Sequence, residues 1–318
     1  VLSVVEPMKL LVVGGSGLLG FKVAELAAGE FETFATYNFR LTKLHGCRFF
    51  KLDKTDRSDT LTLMNKLKPD FVIDTAALHD VNYCETHRDE AWKVNVEGTK
   101  NVAEACREVG AKMIFISTDY VFDGKKGFYT EEDTPNPLHY YAKTKLEGER
   151  VVKEAGIDYA IARPSVIYGW SPSELAGLQS SSGKSVNFVV WVVNKLKKKE
   201  ETNIVTDQYS SPTLADNLAE VLLVLSKSGK QGVYHTAGKT CINRFSFTKK
   251  IAEIFGLDYG LIRPVSSDVI KQVAERPKLC CLDVSKAERD LRVRFLTVEE
   301  GLMKMKEQMK NRNGSDSR

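Results

Sequence analysis

The stretch at 12–20 reads VVGGSGLLG and joins an apolar run to a glycine-rich turn. The run at 10–13 predicts a buried strand, and the leucines that follow Gly17 predict the start of a helix. The glycines fit two overlapping spacings, G-x-G-x-x-G from Gly15 and G-x-x-G-x-x-G from Gly14. Both spacings are typical of a turn whose backbone approaches a diphosphate at the positive end of a helix. The alternative interpretation is an ordinary turn between a strand and a helix.

The composition is that of a soluble globular protein with one large domain or two. The chain has 318 residues and a formal net charge of +4, which is too small and too scattered to indicate a nucleic-acid-binding protein. A basic run at 195–199 fits a solvated helix end better than an anion site. The apolar runs are shorter than the roughly 18 residues that a membrane-spanning helix needs. The 6 cysteines show neither C-x-x-C spacing nor clustering with histidine, so we expect a reducing cytoplasm and no metal site.

Apolar segments alternate with helical patterns through the first half of the chain. Helices are predicted at 18–28 and 81–109, and later at 188–199 and 214–225. Further strands are predicted at 31–37, 49–53, 69–77, 112–117 and 159–168. This alternation predicts a doubly wound α/β fold with a parallel sheet, whose ligands lie at the carboxyl edge of the strands.

The segment after the second predicted strand reads TYNFR and bears on the choice of cofactor. It offers no carboxylate to accept a hydrogen bond from a ribose 2′-hydroxyl, and Arg40 adds a positive charge. Asn38 and Arg40 therefore favour NADP(H), with NAD(H) as the alternative. Asp53, at the exit of the third strand, is predicted to meet the adenine. The small pair Ala76 and Ala77 would let a cofactor approach the backbone.

Three residues could carry the chemistry. Tyr141 and Lys145 are four residues apart in a predicted helix, so both project from one face. An ammonium beside a phenol favours the phenolate and is expected to lower the phenol pKa from about 10. Thr118, at the end of the fifth strand, would hydrogen-bond a substrate oxygen in the same cleft. Together they would protonate a carbonyl while a nicotinamide supplies hydride.

At these residues the sequence resembles the extended short-chain dehydrogenase/reductases, and within them the dTDP-4-dehydrorhamnose reductase family. The resemblance covers about residues 8–305. It rests on STDYVFDG at 117–124, P-L-x-x-Y-x-x-T-K-L-x-G-E at 137–149, NF at 187–188, D-Q-x-x-x-P-T at 207–213, RP at 276–277 and LD at 282–283. We predict an NADP-binding Rossmann domain at 8–168 and 207–232, a smaller α/β substrate-binding region at 169–206 and 233–305, and terminal extensions at 1–7 and 311–318.

The resemblance implies a role for each matching residue. It implies a catalytic triad of Thr118, Tyr141 and Lys145, in which Lys145 also holds the nicotinamide ribose. It places Pro164 beside the nicotinamide and makes Asn95 a support for the lysine. The expected cofactor-binding residues are Gly14, Gly17, Leu18, Leu19, Gly20, Asn38, Arg40, Asp53, Ala76, Ala77, Asn95, Tyr141, Lys145 and Pro164. The expected substrate-binding residues are Thr118, Asp119, Asn187, Asp207, Gln208 and Arg276.

The sequence departs from the family where the sugar would bind. The family commonly has R-T-S-W-V-Y-G where this chain has RPSVIYG at 163–169, so the tryptophan that would pack on the sugar is missing. Trp170 and Trp191 are the candidate substitutes. Ser210 replaces a glycine, and Lys278 stands where the family has a small or polar residue. The Ser/Gly-rich insert at 171–185 is predicted to be a flexible loop or lid.

The leading interpretation is a cytoplasmic, NADPH-dependent reductase of a nucleotide-linked 4-keto-6-deoxy sugar, as in dTDP-rhamnose biosynthesis. A second interpretation is a non-catalytic, NADP-binding regulatory subunit of methionine adenosyltransferase, because that protein shares the fold and several motifs. A third is an epimerase or dehydratase with tightly held NAD, against which Asn38 and Arg40 argue. The expected partners are the sugar nucleotide, a second copy of the chain and, under the second interpretation, methionine adenosyltransferase. Neither nucleic acid nor a membrane is expected.

Overall fold

The computed structural model describes residues 7–170, 187–270 and 272–313, and the predicted insert at 171–185 lies outside these ranges. The strands within them are β1 (Lys9–Val13), β2 (Glu32–Tyr37), β3 (Cys47–Lys51), β4 (Phe71–Asp74), β5 (Lys112–Ile116), β6 (Tyr159–Arg163), β7 (Ile167–Tyr168), β8 (Thr202–Val205), β9 (Tyr209–Ser210), β10 (Thr213–Leu214), β11 (Gly232–His235), β12 (Ile242–Asn243), β13 (Ile262–Val265) and β14 (Leu279–Cys280). The helices are α1 (Leu18–Ala27), α2 (Arg57–Leu67), α3 (Val81–Thr86), α4 (Arg88–Trp92), α5 (Gly98–Val109), α6 (Tyr140–Glu154), α7 (Phe188–Lys197), α8 (Ala215–Lys227), α9 (Arg244–Phe255), α10 (Ser285–Leu291) and α11 (Val298–Asn313).

The central sheet confirms the predicted doubly wound fold. Its 7 strands lie in the order β11-β6-β5-β4-β1-β2-β3, and every neighbouring pair is parallel. The order reverses between β1 and β4, which is where such a sheet binds its ligand. Residues 233–235, which the sequence analysis places in the substrate-binding region, belong to β11 and pair with β6 in this sheet.

The sheet is covered on both faces, as a parallel sheet requires. Alternate residues of β1 point to opposite sides, so Leu10 and Val12 join one apolar cluster and Leu11 and Val13 join the other. The first cluster includes α1 and α8, and the second includes α2, α5 and α6. This burial is what holds the turn after β1 in place at the carboxyl edge of the sheet.

Two predicted elements are broken in the structure. The helix expected at 81–109 is divided into α3, α4, a π-helical turn at Lys93–Glu97, and α5. His87, with φ −123° and ψ 60°, interrupts the helical backbone between α3 and α4. The strand expected at 159–168 is divided into β6 and β7, because Pro164 has no N–H to donate and Val166 takes a φ of +38°.

A second apolar core lies mainly in the region that the sequence analysis predicts to bind substrate. It is built from α7, α9 and α11 together with β7 and β8. Trp170 is a buried member of this core, and Trp191 packs partly buried against it. Trp170 therefore fills the core and is not a substitute for the missing sugar-binding tryptophan. The helix α11 runs to Asn313 and so continues into the terminal extension predicted at 311–318.

The cysteines also differ from expectation. Cys241 and Cys281 form a disulfide with a Cα–Cα distance of 5.4 Å, which the cysteine spacing did not predict. The bond links the segment before β12 to the segment after β14. In the described ranges, no helix is both long enough and apolar enough to cross a membrane.

Candidate active site

The turn after β1 is closed by contacts that admit only glycine. Gly14 has a φ of +87°, and its N–H donates to the Thr36 hydroxyl over 3.1 Å. A Cβ on Gly15 would lie 2.5 Å from Ala35 Cβ, and one on Gly20 would lie 2.7 Å from the Thr75 hydroxyl. These distances are too short for real contacts, so the first turn of α1 packs directly on the sheet.

The start of α1 is left open toward the cleft. Its N-cap is Gly17, which offers no side-chain cap, and the first turn contains no acidic residue. Leu18 and Leu19 turn their side chains into the core, so what they can present outward is backbone N–H. The first N–H groups of a helix have no partner within it and carry partial positive charge. This turn fits the diphosphate of a dinucleotide.

A buried lysine that the sequence analysis missed organises the end of β4. Lys54 Nζ donates to Asp74 Oδ2 over 2.8 Å and to the Ala76 carbonyl over 2.7 Å. Asp74 Oδ1 accepts the Ala76 N–H over 3.1 Å. Gly98 makes room for the lysine, because a Cβ there would lie 2.9 Å from Lys54 Cγ. The Ala76–Ala77 segment is thus fixed against the Gly14 turn.

The other expected cofactor residues lie around the rim. Asn38 is half-buried and Arg40 is exposed in the loop after β2. Asp53 is exposed, and its Oδ1 accepts the Thr55 N–H over 2.9 Å, which caps a turn. Pro164 is buried, and its carbonyl accepts the Asp119 N–H over 2.9 Å. Asp53 and Pro164 are thus each hydrogen-bonded to another residue of the chain.

Thr118, Tyr141 and Lys145 are buried together at the carboxyl edge of β5. The Thr118 hydroxyl acts on the pKa of the Tyr141 phenol and lowers it, so the two groups are close. Lys145 Nζ lies 4.1 Å from the centroid of the Phe115 ring on β5. One helical position matters for this packing, since a Cβ on Gly148 would lie 2.7 Å from the same ring. The helix α6 therefore rests on the sheet closely enough to bring its Tyr/Lys face to Thr118.

Burial governs the ionisation of this pair, contrary to the expected effect of the ammonium on the phenol. Desolvation raises the pKa of Tyr141 above its ordinary value, with further contributions from Cys84 and Asp119. Desolvation also lowers the pKa of Lys145 to about 7, helped by the positive charge of Lys54 and opposed by Asp74. Tyr141 is therefore a neutral phenol at neutral pH, whereas Lys145 titrates near it.

Asn95 supports the lysine only indirectly. Its side chain lies in the π-helical turn, accepts the Leu78 N–H over 2.8 Å and donates to the Leu78 carbonyl over 3.0 Å. It also donates to the Thr144 hydroxyl over 3.0 Å. Thr144 precedes Lys145 in α6, so Asn95 joins the loop after β4 to α6.

The expected substrate residues do not all meet at the triad. Asn187 caps α7 by accepting the Val189 N–H over 3.1 Å. Asp207 accepts a hydrogen bond from the Ser267 hydroxyl over 2.7 Å and pairs with Lys278 at 3.3 Å. Asp207 and Lys278 line an open cavity of about 640 Å³ that includes none of the triad residues.

Arg276 and Gln208 have identifiable contacts as well. Arg276 Nη2 donates to Asn82 Oδ1 on α3 over 2.9 Å, across the mouth of the cleft. Gln208 Nε2 donates to Gln272 over 3.2 Å, and its carbonyl accepts the Arg244 N–H. The Arg244 charge acts on Asp119 and on Tyr120 beside the triad. Arg244 is thus a second guanidinium on the substrate side, which no sequence motif marked.

Comparison with known families matches residues 8–311 to the family described as the RmlD substrate binding domain. The chain belongs to this family. A relative from Haloferax volcanii, described as a probable low-salt glycan biosynthesis reductase, is 32% identical over 93% of the chain and 96% of its own length. The β subunit of methionine adenosyltransferase 2 from Mus musculus is 31% identical over 88% of the chain and 81% of its own length.

The fold also matches a solved member of the family. The crystal structure of dTDP-4-dehydrorhamnose reductase from Bacillus anthracis, in complex with NADP, has a TM-score of 0.83 and 29% identity, and it covers 95% of this chain and 99% of its own. The predicted resemblance is therefore confirmed. At the level of the family, so is the prediction of an oxidoreductase of the dTDP-4-dehydrorhamnose reductase type, and the solved member holds NADP.

Proposed function

We propose that this chain reduces the 4-keto group of a nucleotide-linked 6-deoxy sugar with NADPH, with dTDP-4-dehydrorhamnose as the first substrate to test. The observation that carries the proposal is the buried Thr118–Tyr141–Lys145 cluster at the edge where the sheet reverses order. A proton donor, a cation and an open helix N-terminus at one edge suit carbonyl reduction with a dinucleotide.

The residues around the Gly14 turn fit NADPH. The open N-terminus of α1 would hold the diphosphate, and the Lys145 ammonium would hydrogen-bond the nicotinamide ribose. Arg40 is exposed beside the end of β2 and would pair with a 2′-phosphate. The bound cofactor would supply the hydride.

The chain itself supplies the proton. Tyr141 is protonated at neutral pH because burial raises its pKa, so it is ready to give its hydrogen to an oxygen that gains negative charge. The Lys145 ammonium lowers the cost of the phenolate left behind. The raised pKa also makes the phenolate a strong base, which returns Tyr141 to the acid form for the next turnover.

The substrate side supports a sugar nucleotide. Arg276 and Arg244 place two guanidinium groups near Tyr120, and guanidinium groups bind diphosphates well. Val166 stands where the family's tryptophan would pack on the sugar, so we propose a sugar subsite that differs from that of the rhamnose enzymes. The identity of the sugar is thus the least constrained part of the proposal.

The test is an NADPH oxidation assay across a panel of dTDP- and UDP-linked 4-keto-6-deoxy sugars. We expect turnover with at least one member and slower turnover with NADH. Absence of NADPH oxidation with every member of the panel would overturn the proposal.

A second candidate function is a regulatory subunit of methionine adenosyltransferase. It is supported by the identity of 31% to the mouse β subunit. The test is size-exclusion chromatography of the protein with and without a purified methionine adenosyltransferase catalytic subunit. A stable complex without any keto-sugar reduction would favour this second function, and the protein alone would show whether it forms the predicted homodimer.

A further inference from the structure

The Thr118 hydroxyl has more neighbours than it has hydrogens. A threonine hydroxyl carries one hydrogen and two lone pairs. Its oxygen accepts the Tyr120 N–H over 3.2 Å and lies 3.0 Å from Asp119 Oδ1. An ionised carboxylate can only accept, so Thr118 must give its one hydrogen to Asp119.

Ser165 fixes the direction of this chain of hydrogen bonds from the other end. Its hydroxyl oxygen lies 3.2 Å from the Ser211 N–H, which can only donate, and 2.6 Å from Asp119 Oδ2. Ser165 therefore accepts from Ser211 and donates to Asp119. The series therefore has one direction: the Ser211 N–H donates to Ser165, and the Ser165 hydroxyl donates to Asp119.

The backbone holds Ser165 firmly in that position. Its carbonyl accepts the Thr213 hydroxyl over 2.6 Å, and its side chain is buried. The next residue, Val166, has a φ of +38°, which a β-branched side chain rarely adopts. Strain of this kind persists only where surrounding structure enforces it. The position of Ser165 is thus set by β10 and by the turn at Val166.

We propose that Ser165 is a positioning residue that keeps Asp119 an acceptor, so that the Thr118 hydrogen is held by Asp119 and is not donated to the substrate. This inference rests on the proposed function. Tyr141 then becomes the one proton donor to the sugar oxygen. The role differs from the one expected from the sequence, in which Thr118 hydrogen-bonds the substrate.

The charge of Asp119 controls the arrangement. Burial raises the pKa of Asp119 to about 6, against hydrogen bonds from Ser165 and Thr118 and the charge of Arg244. Burial also raises the pKa values of Tyr120, Tyr141 and Cys280. It lowers the pKa of His139 to about 3. Arg244 and Arg276 carry guanidinium groups, which proteins do not deprotonate. Asp119 is therefore the group of this cluster that changes charge just below neutral pH.

The first test compares the pH profiles of kcat/KM for the wild type, Ser165→Ala, Ser165→Cys and Ser226→Ala. Loss of the Ser165 donor should move the acid limb of the profile upward by about one unit and lower kcat/KM at neutral pH about twofold, because about half of Asp119 would then be protonated. Ser165→Cys keeps a weaker donor and should fall between the two. Ser226, a buried serine whose hydroxyl bonds only to its own helix at Leu222, is the matched control.

A Ser165→Ala enzyme that is slower at every pH, with its acid limb unmoved, would show that Ser165 only supports the fold and would overturn the inference. The second test needs no turnover. Aspartate carboxyls are labelled with ¹³C and titrated by NMR, with Asp119→Asn to assign the signal. The Asp119 midpoint should rise in Ser165→Ala and stay unchanged in Ser226→Ala.

The two tests separate the inference from the function on which it rests. An unmoved Asp119 midpoint overturns the inference even if the enzyme is active. A wild type that reduces no keto sugar, together with a shifted midpoint, overturns the proposed function and supports the hydrogen-bond direction.

Discussion

At the scale of single residues, burial and charge compete for control of Tyr141 and Lys145. The sequence spacing predicts that the ammonium lowers the phenol pKa, whereas desolvation raises the pKa of Tyr141 and lowers that of Lys145. Burial prevails because both groups lie beneath α6 against β5, away from water. At neutral pH the Tyr141 phenol is therefore protonated, and the Lys145 ammonium beside it is close to losing its proton.

Activity should fall as pH rises through the Lys145 transition. Because the pKa of Lys145 is lowered to about 7, the ammonium is present below that pH and is lost above it. We expect both kcat/KM and NADPH affinity to decline on the alkaline side, since the ammonium serves Tyr141 and the ribose. Lys145→Met should bind NADPH weakly at every pH without this transition. Constant NADPH affinity of the wild type across the alkaline range would contradict this role.

The exposed cation after β2 should select the cofactor. Removing Arg40 with Arg40→Ala should weaken NADPH binding by about 1–3 kcal/mol, the range for a charge-assisted contact, with little change for NADH. Isothermal titration with both cofactors measures the difference. Lys43→Ala, which removes an exposed cation from the same loop, is the control and should leave the NADPH/NADH ratio unchanged. Equal losses for both cofactors in Arg40→Ala would show that Arg40 does not bind the 2′-phosphate.

The sequence reveals some of these residues and hides others for a physical reason. Tyr141 and Lys145 stand out because their spacing alone places them on one helical face. Lys54 does not stand out, since its burial depends on Asp74, which lies 20 residues later at the end of β4. A single lysine or arginine in sequence resembles any solvated side chain. Only the fold shows that Lys54 and Arg244 point inward.

At the scale of elements, the π-helical turn Lys93–Glu97 connects the loop after β4 to α6. Asn95 in this turn bonds both to the loop after β4 and to α6. The sequence pattern predicts one continuous helix, because the helical spacing of apolar residues continues through both the break at His87 and the π-helical turn. Local strain and a polar side chain turned inward are tertiary features that periodicity does not encode.

We expect Asn95→Ala to cost about 1–3 kcal/mol of unfolding free energy, because it leaves the buried Leu78 N–H without its Asn95 acceptor. It should also lower kcat, since α6 loses its tie to Leu78 through Thr144. Asn101→Ala is the matched control: this asparagine of α5 bonds to the Lys54 carbonyl over 3.0 Å and does not reach α6. Denaturant unfolding and kcat distinguish the two variants. Equal effects of both on kcat would remove the special role of Asn95.

At the scale of the whole molecule, a parallel sheet and a second core of helices meet around the cleft. The sheet was predictable because each of its strands is an apolar run followed by a turn. The second core was less predictable, since its strands are short and are paired between distant segments, as with β8 and β13. The same distance explains why no sequence pattern marks the bond between Cys241 and Cys281.

That disulfide should be measurable. With denatured, unreduced protein, thiol titration should find four free cysteines, namely Cys47, Cys84, Cys106 and Cys280. Because the bonded residues are 40 positions apart, a chain-entropy estimate assigns about 4 kcal/mol to the link. Cys241→Ala should therefore lower the unfolding free energy measured without reductant, while Cys47→Ala should not show this reductant-dependent loss. Six free thiols in protein purified without reductant would contradict the bond.

The central claim is that Tyr141 donates the proton in an NADPH-dependent reduction. The most direct measurement is kcat for the wild type, Tyr141→Phe and Tyr140→Phe with NADPH and an accepted keto-sugar nucleotide, together with the NADPH dissociation constant of each. We expect Tyr141→Phe to bind NADPH normally and to lose roughly 10²- to 10⁴-fold in turnover, as for a lost general acid. Tyr140 is only half-buried and faces about 100° away around the helix, so Tyr140→Phe should behave as the wild type. Wild-type turnover in Tyr141→Phe, or inactivation by Tyr140→Phe alone, would contradict the claim.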